Sequence, residues 1–226
     1  ILKKSTAVFC AAALGATALF GCTAPAESSD GAASQDQAQE AEDRTVVDMR
    51  GDEITVPADT STVLTVNSVA TQMVLMLGGE DAAATMGKGF NYGEGSLNAS
   101  MFPGLADVPT FSREDSTVEN IAAIGPDFVL EGNDDVIAQL RDAGIPAAYI
   151  SVTSPETIVE AVHIIGDALG GEADQKAQAY EDAYNEALED TKARTADLSD
   201  DEKPRVLYMR STESTTGANS MPDSWI

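Results

Sequence analysis

Apolar and polar positions change period several times along this chain, and the changes mark out its elements. Val46, Val47 and Met49, then Ile54 and Val56, flank the polar turn Arg50-Gly51-Asp52. That pattern predicts a β-hairpin closed by Pro57. The short apolar run Val63-Leu-Thr-Val66 predicts a buried strand. A helix over residues 69–77 follows, stopped by Gly78-Gly79. Ala83-Ala-Thr-Met86 predicts another strand, and residues 87–112 a long loop. Phe128-Val-Leu130 and Ala147-Ala-Tyr-Ile150 predict two more strands, separated by a helix over 135–143 that ends at Gly144. Ser154-Pro155-Glu156 is a strong helix start, with serine as N-cap and proline in the first turn. Ile158, Val162, Ile165 and Leu169 then lay one apolar stripe along that helix.

The next stretch differs. Ala173, Ala177, Tyr180, Tyr184, Ala187, Thr191 and Leu198 recur at helical spacing. They predict a helix of roughly 27 residues, about 40 Å long, which exceeds another crossover in a small domain. After the polar Ser199-Asp-Asp-Glu-Lys203, Arg205-Val-Leu-Tyr-Met209 predicts a fresh strand. The fold class is therefore α/β: a parallel-sheet N-terminal lobe over 45–171 with flanking helices, a long linking helix over 172–199, and the start of a second α/β lobe over 204–226. Ligands of such sheets bind outside the carboxyl ends of the strands.

Ahead of residue 45 the pattern is that of an address. Lys3 and Lys4 precede the apolar run Ala7-Val-Phe-Cys-Ala-Ala-Ala-Leu-Gly-Ala-Thr-Ala-Leu-Phe-Gly21, shorter than a membrane-spanning helix. Leu19-Phe20-Gly21-Cys22 resembles a bacterial lipobox, although Phe20 is bulkier than is usual there. Residues 1–22 are thus expected to be a lipoprotein signal peptide, with Cys22 as the lipidated residue. Residues 23–44 are expected to be an acidic tether, since residues 23–43 carry no large apolar side chain to offset the entropy of ordering.

Charge and composition narrow the chemistry. The 226 residues carry 13 Lys plus Arg against 38 Asp plus Glu, a net charge of −25; loss of residues 1–22 removes two lysines and no acid, giving −27. Such a chain has no basic surface for nucleic acid. Only Cys10 and Cys22 occur, so residues 45–226 have no disulfide framework and no thiol nucleophile. A single histidine, His163, leaves too few ligands for a bare zinc or manganese ion, and it is expected to sit at the surface of its helix rather than in a site. No Gly-x-Ser-x-Gly elbow and no P-loop are present. No cofactor and no catalytic residue is expected.

The order and spacing of several segments resemble those of the substrate-binding lipoproteins of iron-siderophore, cobalamin and heme ABC importers. The carriers of the resemblance are Val46-Val-Asp-Met-Arg-Gly-Asp-Glu-Ile-Thr-Val-Pro57, Leu75-Met-Leu-Gly-Gly79, Val118-Glu-Asn-Ile-Ala-Ala-Ile-Gly-Pro-Asp-Phe-Val-Leu130, Leu140-Arg-Asp-Ala-Gly-Ile-Pro146 and Gly217-Ala-Asn-Ser220. The resemblance implies two α/β lobes joined by one rigid helix, a chelate bound in the cleft between them, and delivery to an ABC permease with its ATPase. It also implies that Glu119 docks onto arginines of the permease, while the matching glutamate of the second lobe would lie beyond Ile226. On this reading the chain covers one wall of the cleft and the beginning of the other.

Related proteins place a ligand-touching cleft residue six positions before the docking glutamate, and here that residue is Arg113. Its guanidinium suits carboxylate, hydroxamate or catecholate oxygens, which favours a ferric siderophore over cobalamin, with cobalamin or heme kept as the alternative cargo. The alternative is a solvated arginine paired with Glu114 or Asp115. Phe90, Tyr92 and Phe111 are candidates for an apolar wall of the cleft, or else anchors of their loop. Asn133 and Arg210 are weaker candidates, from the ends of the strand at 128–130 and of the second-lobe strand. Ser116-Thr-Val-Glu119 also reads as a capping box, a structural use for the same glutamate. Rival readings are a secreted α/β hydrolase and a structural or adhesive lipoprotein.

Overall fold

The structure, a computed structural model, describes residues 42–216 and Pro222; Cys22, the signal segment, most of the tether and Gly217-Ala-Asn-Ser220 lie outside the described residues. At the centre is a parallel sheet of β3 (Val63–Thr65), β6 (Phe128–Glu131) and β7 (Ala147–Tyr149), in the order β3-β6-β7. Its strands are short and almost wholly apolar because both faces are covered. Val63, Phe128, Leu130 and Ala148 face one side. There they meet the hairpin of β1 (Arg44–Val47) and β2 (Glu53–Val56) together with three helices, α1 (Ser68–Met76), α5 (Pro155–Leu169) and α6 (Glu172–Thr195). Leu64, Val129 and Ala147 face the other side, against α3 (Val118–Ile124) and α4 (Asp134–Asp142).

A buried hydroxyl network finishes the β3 edge. Thr85 Oγ1 accepts from the Thr65 amide at 2.9 Å and donates to the Thr65 carbonyl at 2.8 Å. Thr71 Oγ1 lies 2.7 Å from Thr65 Oγ1 and accepts from the Gly87 amide at 2.8 Å. The strand expected over 83–86 is accordingly interrupted, because a side chain replaces the ladder. What remains is a bridge between Val63 and Ala83, then β4 (Met86–Gly87) paired with β5 (Thr110–Phe111). Gly87 is where two backbones meet: a Cβ there would stand 2.1–2.3 Å from the backbone of Asn67.

The region expected as one long loop, 87–112, contains β5, a 3-10 turn at Pro103–Asp107 and the short helix α2 (Leu97–Met101), capped by Ser96. The long helix runs for 24 residues, about 36 Å, and packs on α5 where Gly166 lets it approach; a Cβ on Gly166 would lie 2.8 Å from that of Ala177. Beyond it the chain departs from expectation. Residues 205–208 form no strand; β8 (Met209–Ser211) instead folds onto β9 (Ser214–Thr215) as an exposed antiparallel hairpin. No helix among the described residues is long and apolar enough to cross a membrane.

Candidate functional site

The carboxyl ends of β3, β6 and β7 open onto one cavity of about 300 Å³, lined by Asn67 and Val69, by Arg113, by Gly132, and by Ile150, Ser151 and Val152. Each strand thus supplies its following residues to the same place, as the topology requires. Asn67 is fixed as the N-cap of α1, its side chain accepting from the Ala70 amide at 2.9 Å. Arg113 arrives from a 3-10 turn, Arg113–Asp115, and its Nη2 lies 3.5 Å from where a Cβ on Gly132 would stand. A Cβ at position 132 would touch the guanidinium and crowd the Ile150 carbonyl, 3.2 Å away.

Arg113 is exposed, and among the described residues its guanidinium takes part in no ion pair and no hydrogen bond. The acids expected to compete for it are engaged elsewhere. Glu114 meets Lys88 at 3.3 Å, and Asp115 accepts from the Ser112 hydroxyl at 2.6 Å and the Ser112 amide at 3.1 Å. The other arginines of this lobe are spent on structure. Arg44 donates to the carbonyls of Asp167, Ala168, Pro57 and Ala58; Arg50 pairs with Asp134 at 2.8 Å and stacks on Tyr149; Arg141 holds Asp48 and Asp52. A five-donor fork left open beside a cavity is equipped to hold an oxyanion.

The expected aromatic wall is not where the open guanidinium is. Phe111 is only 6% exposed and sits in the core beneath α3 and α4. Phe90 and Tyr92 pack on Leu75, Met86 and Leu105 inside the loop region, and the Tyr92 hydroxyl donates to the Phe102 carbonyl at 3.0 Å. Their contacts are those of loop anchors. Asn133 caps α4, its oxygen accepting from the Asp135 and Val136 amides. Arg210 is exposed on the β8–β9 hairpin and does not line the cavity. His163 is half-buried and pairs with Glu181 across α5 and α6 at 2.8 Å.

Glu119 also differs from expectation. The N-cap of α3 is Thr117, which accepts from the Asn120 amide, and Ser116 is turned inward to Glu131. The capping box therefore does not form. Glu119 stands exposed in the first turn, and among the described residues its carboxylate has no hydrogen-bond partner.

Glu131 is the residue that sequence reasoning passed over. It ends β6 with 0% exposure, accepts from the Ser116 hydroxyl and, at 2.7 Å, from the Gly132 amide. Its signal was available: a carboxylate closing an otherwise apolar strand, directly before Gly132-Asn133.

A second, larger cavity of about 540 Å³ lies beside the first, sharing Val69. Met73 and Met76 of α1, Leu97 and Met101 of α2, and Tyr180 of α6 make it mainly apolar. It holds no charged side chain, so the smaller cavity is the candidate site. Among the described residues no group of three or more His, Cys, Asp or Glu is arranged to hold a metal ion.

No protein-family model matches the sequence, and no curated protein matches it significantly. Solved structures do. A periplasmic solute-binding protein from Veillonella parvula is similar over 74% of this chain and 52% of its own, at 21% identity and a TM-score of 0.63. The molybdate periplasmic binding protein MolA of Haemophilus influenzae, solved with molybdate bound, matches over 76% of this chain and 59% of its own, at 18% identity and a TM-score of 0.61. The periplasmic heme-binding protein RhuT from Roseiflexus sp. RS-1 matches over 73% and 62%, at 18% identity and a TM-score of 0.52. The chain has the fold of these solute-binding proteins and spans between half and two thirds of their length.

Proposed function

We propose that this chain is the solute-binding component of an ABC importer, capturing an oxyanion-bearing iron chelate, a ferric siderophore, and handing it to a permease. The observation that carries the reading is the open Arg113 guanidinium at the strand ends of a solute-binding fold. The cavity of about 300 Å³ has room for one hydroxamate or carboxylate arm of a chelate. Phe111 is buried and Phe90 and Tyr92 hold their loop, so none of these three aromatics stands beside the open guanidinium. Glu119, exposed and unpartnered, is the residue we assign to permease docking. Cys22 is assigned to lipid anchoring on the outer face of the membrane. No bond is made or broken, so binding and release are the whole mechanism.

A second reading, capture of a small tetrahedral oxyanion, is favoured by the cavity's size and by the likeness to MolA. Both readings use the same Arg113 chemistry. Native mass spectrometry of the chain against ferric tris-hydroxamate, ferric tris-catecholate, molybdate, heme and cobalamin separates them. Retention of a ferric chelate, lost in Arg113→Ala, supports the first. Retention of molybdate alone supports the second. Retention of heme or cobalamin, indifferent to Arg113→Ala, overturns the assignment of this cavity.

A further inference from the structure

The turn that carries Arg113 is rigid within itself. Ser112 and Asp115 bond reciprocally, the Asp115 amide donates to the Ser112 carbonyl at 3.0 Å, and Asn120 donates to the Asp115 carbonyl at 2.9 Å. None of those bonds ties the turn to the strand ends it faces. Two others do: at the β3 end Glu114 pairs with Lys88, which bridges to Asn67, and at the β6 end the Ser116 hydroxyl donates to Glu131. Glu131 in turn holds the Gly132 amide, and Gly132 lines the cavity against the Arg113 guanidinium. At the β6 end, one carboxylate thus joins the two pieces of backbone that must keep their distance if the guanidinium is to face the cavity.

Its setting makes a purely structural role expensive. Glu131 is fully buried and, among the described residues, meets no cation within ion-pair distance. A buried carboxylate held only by a hydroxyl and one amide costs stability that an apolar residue would not. A carboxylate offers what an apolar side chain lacks, two acceptors set at a fixed separation, one for each side of the joint.

We propose that Glu131 is the positioning residue of the site: through Ser116 on one oxygen and the Gly132 amide on the other, it sets the Arg113 guanidinium against the strand ends. The proposal rests on Arg113 as the ligand contact, but its test does not depend on the ligand. The Nε–H of Arg113 gives an NMR signal whose ¹⁵N relaxation reports the order of the side chain. Ser116→Ala cuts the joint and leaves Arg113 itself unaltered. It is expected to lower that order and to weaken binding of ferric tris-hydroxamate about tenfold, close to 1.4 kcal/mol. Glu131→Gln can still accept from the Gly132 amide and donate to the Ser116 oxygen, and is expected to retain both properties. Should Ser116→Ala not fold, the double variant Ser116→Ala/Glu131→Met removes both polar partners together and reports the same loss. Unchanged Arg113 relaxation in the folded Ser116→Ala or double variant overturns the proposal. Lost order with no chelate bound by the unaltered chain upholds the joint and rejects the ligand reading.

Discussion

Arg141 and Arg113 sit in the same lobe and are used in opposite ways. Arg141, on α4, gives one nitrogen to Asp48 at 2.6 Å, another to Asp52 at 2.7 Å, and its Nε to the Ala147 carbonyl at 2.9 Å. Asp48 is fully buried in its side chain and also accepts from the amides of Tyr149, Arg50 and Asp52. This cluster fastens the β1–β2 hairpin to the edge of β7, and each of the three Arg141 nitrogens has an acceptor in it. Arg113 faces a cavity with its donors open. The comparison teaches that residue type says little about an arginine; what matters is whether folding has already used its hydrogen bonds. A satisfied fork is a staple, and an unsatisfied one beside a cavity is a receptor.

Breaking the staple is expected to give the largest effect. Asp48→Ala leaves Arg141 without its buried partner and strands three amides, a loss of about 3–5 kcal/mol. Thermal melting reads this as a fall of roughly 6–20 °C. The pH dependence has a definite sign. Burial pushes the Asp48 carboxyl up, but the amides of Tyr149, Arg50 and Asp52, then Arg141, together hold it below the usual 3.8. The stabilisation is therefore complete above pH 3.8 and is lost as the pH falls through the lower folded value. Melting Asp48→Ala beside the unaltered chain across pH 2–7 should show the gap closing only at the acid end; a constant gap would mean that the charge is not what fastens the hairpin.

The next effect belongs to the β4 edge beside the cavity. Gly87→Ala drives a Cβ into the Asn67 backbone, at a cost of about 1–3 kcal/mol, and displaces the cap of α1 that lines the cavity. Urea midpoint and chelate affinity should fall together. A stable variant with normal affinity would separate the cavity from the β4 edge.

Arg113→Ala sharpens the comparison from the other side. Stability should stay within about 0.5 kcal/mol, as for an exposed residue without partners, while affinity for ferric tris-hydroxamate falls at least tenfold. Calorimetric binding and melting on one preparation check both. A large drop in melting temperature would make Arg113 another staple.

The smallest effect lies between α5 and α6. Partial burial first, then the neighbouring Asp174 carboxyl, holds the Asp167 carboxyl above its usual value, against a downward pull from His163. A raised carboxyl favours the protonated folded state, so its contribution is lost as the pH rises from 3.8 through the folded value. Asp167→Asn should therefore melt slightly higher at pH 7 and equally below pH 3.8. A lower melting temperature at pH 7 would show that the carboxylate is wanted charged.

Much of the lobe was legible. Ser154-Pro155 announces α5, with Ser154 as its cap and Pro155 opening the helix, because capping chemistry is local. The apolar runs at 63–66, 128–130 and 147–150 became the parallel sheet, since strands covered on both faces need no alternation. The cap of α3 was misplaced by one residue. Ser116 and Thr117 can both cap, and what decided between them was Glu131, fifteen positions away. The strand expected over 205–209 did not form at 205–208, because a strand needs a neighbour. The pairing available was the local one between Met209 and Thr215.

The sequence by itself determined the alternation of strands and helices, the long sixth helix, and the shortage of histidine and cysteine. These depend on period, capping and composition, which act over a few residues or over the whole chain at once. Only the tertiary structure decided which arginine was left open, which aromatics were consumed by the core, and that Glu131 lies beneath the site. Whether a hydrogen bond is already spent depends on partners far apart in sequence, and those are known only once the chain has brought them together.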